Sequence, residues 1–236
     1  MSSPSSKLKL YVNEVATTSR AVLALVEATG LEVERISVDL QSGEHYGPEF
    51  SALNPNRMVP VLVDGDFVLT ESSAILRYLA AKVESPLYPS GLEARARVDE
   101  MIAWFESNFY KDFGFQFVYP QLFPHHARGS SEADQATVAF GRARSLERLS
   151  VLDDYFLADG RPFLTGDALT IADFHGLSIL SLGELVGASL DAYPRVKAWY
   201  DRVRSLDAWR EINAGFDAFV SHMSSAPSER AFVGLQ

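Results

Sequence analysis

Asn54-Pro55-Asn56-Arg57-Met58-Val59-Pro60-Val61-Leu62-Val63-Asp64-Gly65-Asp66-Phe67-Val68-Leu69-Thr70-Glu71-Ser72-Ser73 is the stretch on which the fold turns. Val61-Leu62-Val63 and Phe67-Val68-Leu69 are short apolar runs flanking Asp64-Gly65, a pair suited to the positive φ of a tight hairpin. Val59-Pro60 enters the first run. Proline brings no N–H to a sheet, so it belongs at a strand edge, and a cis bond before it suits that entry. Thr70 to Ser73 supply helix-start residues, and Ile75, Leu76, Leu79, Ala80 and Val83 then recur at helical spacing. The unit therefore reads ββα.

Upstream, Leu8, Leu10 and Val12 alternate along residues 7–12, as in a half-buried strand. Thr17, Thr18 and Ser19 open a helix whose apolar face carries Val22, Leu25 and Val26, and Gly30 ends it. Ile36, Val38 and Leu40 alternate along 34–40. Strand, helix, strand implies a parallel pair with a crossover, and a polar loop over 41–48 leads to the hairpin. Downstream, two prolines and a glycine over 86–91 mark a linker. Helical periods follow over 93–117, 132–157, 171–186, 194–205 and 208–223, with a loop at 124–131 and a turn at 159–167. Pro194 fits a first helical turn, where its missing N–H costs nothing. Thr170-Ile171-Ala172-Asp173 has the spacing of a capping box, so Asp173 is given a folding role rather than a catalytic one. The fold class is thus α/β plus all-α, with domains at 7–85 and 92–223. Residues 1–6 read as a polar tail and 224–236 as a frayed end.

The chain of 236 residues, 47% hydrophobic and 22% charged, has the composition of an ordinary globular protein. Its formal charge of −10 argues against non-specific nucleic-acid binding, which needs a basic surface. No apolar run reaches the roughly 18 residues of a membrane span, and the N-terminus lacks the apolar centre of a signal peptide. There is no cysteine, so there is no disulfide and no chemistry through a thiol of the protein's own; a cytoplasmic setting fits. His125-His126 stands on a loop without ligand spacing, and no metal is expected.

Four pieces, in order and at characteristic spacing, resemble the glutathione transferase family over about residues 7–223. They are Leu10-Tyr11 with Ser19-Arg20, Val59-Pro60, Thr70-Glu71-Ser72, and Leu164-Thr165-Gly166 leading to Thr170-Ile171-Ala172-Asp173. The opening strand and Gly43-Glu44-His45 look most like its theta-like branch and bacterial relatives. The resemblance implies a thioredoxin-like N-terminal domain (βαβ-ββα), a C-terminal helical bundle and a homodimer. It also implies a reaction in which the thiolate of glutathione, the cosubstrate, attacks a small hydrophobic electrophile.

The same resemblance assigns site residues. Val59, beside Pro60, would offer its backbone N–H and C=O to the cysteinyl part of glutathione. Ser72 would donate to the γ-glutamyl α-carboxylate and Glu71 accept from the ammonium, at a helix start that favours an anion. His45 would meet the glycyl end. Met58 stands where a lysine is common, so the positive charge has moved to Arg57 or is lost. Tyr110, Phe113 and Phe117, closed by Phe216 with Phe219, would line the electrophile pocket. The thiol activator departs from the pattern. A free thiol with a pKa of about 8.5 is mostly protonated at neutral pH and needs a hydroxyl donor beside it. Theta-like enzymes supply a serine at the position of Ala16. Thr17 is the first candidate to replace it and Ser19 the second, with Asn13 behind them; the same residues also serve as ordinary helix caps. Two alternatives remain beside transfer. One is a non-catalytic glutathione-binding or scaffold protein, as in an elongation-factor gamma subunit or some lens crystallins. The other is a glutathione-dependent dehalogenase or isomerase.

Overall fold

The computed structural model describes residues 8–225 and Leu235. The polar tail expected at 1–6, and most of the frayed end expected at 224–236, lie outside those residues; Leu235 itself packs in the core. The chain opens with β1 (Leu8–Val12), α1 (Thr17–Thr29), β2 (Val33–Ser37), α2 (Pro48–Leu53), β3 (Val61–Asp64), β4 (Phe67–Leu69) and α3 (Ser72–Lys82). Their sheet has the order β2-β1-β3-β4. β1 and β2 run parallel, and β3 is antiparallel to both β1 and β4. The hairpin turns at Gly65, whose φ of 62° is the left-handed value glycine adopts without strain. The Val59–Pro60 bond is cis.

The register decides where a site can form. Val12 pairs with Ser37, Tyr11 with Val61, and Leu62 with Leu69. The C-terminal ends of β1, β2 and β4 and the N-terminal end of β3 therefore share one edge of the sheet. The turn into α1, the loop after β2, the cis-proline and the turn into α3 all open there.

Three local expectations are corrected. β2 stops at Ser37 rather than residue 40, because after Val38 donates to the Val12 carbonyl (2.8 Å) the chain turns away. The 41–48 loop is not plain loop: Glu44–Tyr46 makes a 3₁₀ turn, and α2 starts at Pro48, which occupies a first-turn position. Of the start residues 70–73, Glu71, at φ 66°, is the cap of α3, and Thr70 lies outside the helix.

The second half is helical: α4 (Leu92–Trp104), α5 (Tyr119–Leu122), α6 (Ser131–Val151), α7 (Ile171–Leu180), α8 (Pro194–Arg204) and α9 (Asp207–Ser225). Between α4 and α5 the rod continues with i→i+5 winding over Phe105–Tyr110 and Phe113–Val118, where an uninterrupted α-helix was expected. α7 is buried along its whole length. At its start, Asp173 accepts from the N–H (2.8 Å) and hydroxyl (3.0 Å) of Thr170, the N–H of Leu164 (2.8 Å) and the indole of Trp199 (2.9 Å). α1 is covered by both halves. Its Ala21, Val22, Leu25 and Val26 share one apolar cluster with Phe105, Phe109, Phe174, Trp209 and Phe216.

Candidate active site

The first turn of α1 has Ala16 at its cap, with β-region backbone and no capping side chain. The leading N–H groups of the helix are therefore left without an intrahelical partner, and they make a weakly positive end. The three hydroxyls that follow are separated by helical geometry. Thr18 donates to the Val59 carbonyl at 3.0 Å, tying this turn to the cis-proline. Ser19 is fully buried, and its oxygen takes the Asn13 N–H at 3.4 Å, so the structure withdraws it from any thiol at the surface. Asn13 is spent on the loop as well: its amide donates to the Val38 carbonyl at 3.0 Å, and its oxygen accepts from Val15 at 3.2 Å. Thr17 points another way. Its Oγ1 lies 3.3 Å from the Tyr119 hydroxyl, which is 2.6 Å from the Tyr110 hydroxyl.

α3 starts in a related manner. Glu71 holds a left-handed backbone that only glycine adopts freely, and no side chain caps the helix. Ser72 is nearly buried and Glu71 exposed. Neither side chain pairs with another described residue. A helix start with free N–H groups, a serine hydroxyl and a carboxylate can hold an amino acid's carboxylate and ammonium together.

The approach to Val59 is shaped by Asn54, which the sequence reading passed over. Buried at 3% exposure, it takes the N–H of Asn56 at 3.0 Å and donates to the Met58 carbonyl at 2.7 Å. Its Asn-Pro context signals a turn, which is the signal that could have found it. Arg57, at φ 58°, sits with its guanidinium 5.6 Å from the Tyr46 ring, and that ring is 4.1 Å from His45. Arg57 and His45 therefore belong to one cluster, while the Met58 side chain lies exposed. The His45 Nδ1 is buried without a hydrogen-bond partner among the described residues.

The aromatic wall differs from the expectation. Phe113, Phe117 and Phe216 are at most 1% exposed, so they are core side chains and do not line a surface. Phe216 packs under Arg20, whose guanidinium lies 3.6 Å from its ring centre. Tyr110 is half-buried and remains beside Thr17 through Tyr119. The rings that face outward with Tyr119 are Phe115 (5.3 Å), Phe123 (5.8 Å) and His126 (5.1 Å). A straight helix hides this grouping, because the i→i+5 winding resets which residues share a face. Among the described residues no group of His, Asp and Glu is placed to hold a metal ion, and no helix is long and apolar enough to cross a membrane.

A βαβ-ββα sheet with a cis-proline and two uncapped helix starts on one edge, followed by a helical domain, defines the thioredoxin-like architecture with an appended bundle. Comparison with known proteins places it further. Residues 6–81 match the glutathione S-transferase N-terminal domain model and residues 110–207 the C-terminal domain model. Human glutathione S-transferase theta-2B is 38% identical over 201 residues, covering 84% of this chain and 81% of its own length. Mouse glutathione S-transferase theta-1 is 34% identical over 214 residues, 87% of each. The crystal structure of human glutathione transferase theta-2, in complex with glutathione and an unknown ligand, superposes with a TM-score of 0.79 at 33% identity and covers 95% of both chains. The chain belongs to the glutathione S-transferase family. Glutathione transfer, with glutathione as the cosubstrate, is the activity its theta-class relatives support.

Proposed function

We propose that glutathione lies along the shared sheet edge, its cysteinyl unit paired with the Val59 backbone beside cis-Pro60. In this reading the γ-glutamyl carboxylate meets the Ser72 N–H and hydroxyl, Glu71 accepts from the ammonium, and His45 and Arg57 meet the glycyl carboxylate. Thr17 donates its hydroxyl to the thiolate at the uncapped start of α1. The thiol proton leaves to solvent. The sulfur then forms a carbon–sulfur bond with an apolar electrophile while a leaving group departs or a strained or activated bond opens. Hydroxyl and helix start together favour the ionised sulfur. The observation that carries the reading is Thr17. Of the three hydroxyls after Ala16, Thr18 is bound to the Val59 carbonyl and Ser19 takes the Asn13 N–H, whereas Thr17, although buried as well, stands in the first turn with its hydroxyl beside that of Tyr119.

We assign the electrophile side to Tyr110 and Tyr119, with Phe115 and His126 at its rim and Phe113, Phe117 and Phe216 supporting it from the core. The homodimer, the domain limits 7–85 and 92–223, and a cytoplasmic setting complete the proposal; exposed Phe67 and Val68 on β4 and Phe140 on α6 offer apolar surface to a second copy. Thr17→Val is the test. It should raise the pKa of the bound thiol and slow turnover while glutathione affinity is kept; an unchanged thiol pKa would reject Thr17. Ala16 favours the scaffold alternative, and saturable glutathione binding with no ionised thiol would establish it.

A further inference from the structure

Tyr110 and Tyr119 are nine residues apart, about two and a half turns of an α-helix, so regular winding would set them on opposite faces. They are on the same face here because Phe113–Val118 winds i→i+5, which makes the same span roughly two turns. Gly114 makes room for the result. A Cβ at that position would lie 2.5 and 2.6 Å from Tyr110 ring carbons, so one edge of the ring fills the space the glycine leaves. The two hydroxyls then meet at 2.6 Å, and the second stands 3.3 Å from the Thr17 hydroxyl across the domain boundary. The helical domain thereby places two phenols in line behind the one threonine left to serve the sulfur.

We propose that Tyr119, backed by Tyr110, is a positioning residue that orients the Thr17 hydroxyl toward the glutathione sulfur, replacing through the second domain what Ala16 lacks. This rests on the assignment of Thr17 above. A chain of three hydroxyls can run in either direction. An anion at the start of α1 selects the order in which Tyr110 donates to Tyr119, Tyr119 to Thr17, and Thr17 to the sulfur, and each bond polarises the next. Burial raises the pKa of both phenols, Tyr110 well above the ordinary value, so both keep their protons and remain donors. The other charged or titratable groups facing the trio are Arg20, whose pKa burial lowers only to about 10, and His126, whose pKa burial and the neighbouring His125 and Arg128 lower. Arg20 therefore stays cationic near neutral pH and His126 stays mostly neutral.

The experiment is the pH titration of the ultraviolet thiolate band of bound glutathione in Thr17→Val, Tyr119→Phe, Tyr110→Phe and the Thr17→Val/Tyr119→Phe double variant, with kcat and KM for glutathione alongside. Tyr119→Phe should raise the thiol pKa by roughly half to one unit and lower kcat near neutral pH about three- to tenfold, the worth of one hydrogen bond, with KM for glutathione unchanged. Tyr110→Phe should shift it in the same direction by less. In the Thr17→Val background Tyr119→Phe should add nothing, because its route to the sulfur is gone. If Thr17→Val raises the pKa but Tyr119→Phe does not, the relay is wrong and the Thr17 assignment survives. If Thr17→Val is silent, the assignment itself fails and the relay with it. A further rise on adding Tyr119→Phe to Thr17→Val would mean that Tyr119 meets the sulfur directly, which also overturns the relay. Gly114→Ala gives an independent check: displacing the Tyr110 ring should reproduce the Tyr110→Phe shift, and an unmoved thiol pKa in folded protein would count against the chain.

Discussion

At the residue scale the site is a set of backbone groups with a few hydroxyls placed among them. Ser72 is the clearest case in the proposed site, a nearly buried serine at an uncapped helix start whose side chain pairs with no other described residue. Ser72→Ala should weaken glutathione binding by about 1–2 kcal/mol, roughly five- to thirtyfold, read by calorimetry; unchanged affinity would remove Ser72 from the cradle. Asp173 shows the opposite use of a polar side chain. Its two oxygens satisfy four donors in the core, and burial raises its pKa against them. Asp173→Asn must turn an NH₂ toward N–H groups, and should cost about 2–3 kcal/mol in denaturant unfolding with glutathione affinity of the folded protein intact. The cis bond at Val59-Pro60, the helix start at Glu71-Ser72 and the Thr170–Asp173 box were legible in the sequence, since all three are local patterns. The separate surroundings of Thr17, Thr18 and Ser19 were not. Three consecutive residues on a helix point roughly 100° apart, and only the tertiary fold shows which meets Tyr119, which Val59 and which Asn13.

At the scale of elements, the hairpin, the crossover and the helical second half followed from period and punctuation. The i→i+5 segments did not, because a change of winding inside an apolar run leaves the same residue types in place. The family resemblance put Phe113 and Phe117 on a pocket wall, and residue types alone do not show that both side chains turn into the core. Close packing at the segment can be tested. A Cβ on Gly141 of α6 would lie 2.6 Å from the Gln116 carbonyl carbon and 2.7 Å from the Phe117 nitrogen. Gly141→Ala should therefore destabilise the protein by about 1–3 kcal/mol despite alanine's better helix propensity; a neutral or stabilising effect would mean that α6 can move away freely. His175 on α7 gives a pH signature. It is wholly buried, and desolvation, with Arg77 adding a smaller effect, lowers its pKa to about 3; the ring is therefore neutral, and its 3.7 Å approach to Glu106 is not an ion pair at neutral pH. The unfolded chain takes up this proton below about pH 6.5 while the folded one does not, so stability falls as pH drops from there toward 3, by at most about 1.4 kcal/mol per unit. His175→Gln should flatten that slope between about pH 6 and 4.5. A parallel slope in the variant would show that other groups govern acid unfolding.

At the scale of the molecule, the two halves are joined at α1. Arg20 is buried there, and among the described residues no carboxylate is in direct contact with it. It donates to Asn213 Oδ1 (2.7 Å) on α9 and to the Ser178 carbonyl (3.2 Å) on α7, and it lies against the Trp209 and Phe216 rings. Arg20→Lys keeps the charge and loses the planar fork and the stacking, and should lower unfolding stability by roughly 2 kcal/mol or more. The Ser19-Arg20 pair was visible as part of a resemblance, but its role as a bridge depends on partners 158 and 193 residues away. The same joint brings a hydroxyl of the first domain to 3.3 Å from a phenol of the second. The central claim is that the sheet edge binds glutathione and ionises its thiol although Ala16 supplies no hydroxyl. The most direct test is the ultraviolet difference spectrum of the unaltered protein with glutathione, followed across pH. We predict a saturable thiolate band that persists well below the free thiol's pKa of about 8.5. Binding without such a band, or no binding, would contradict it.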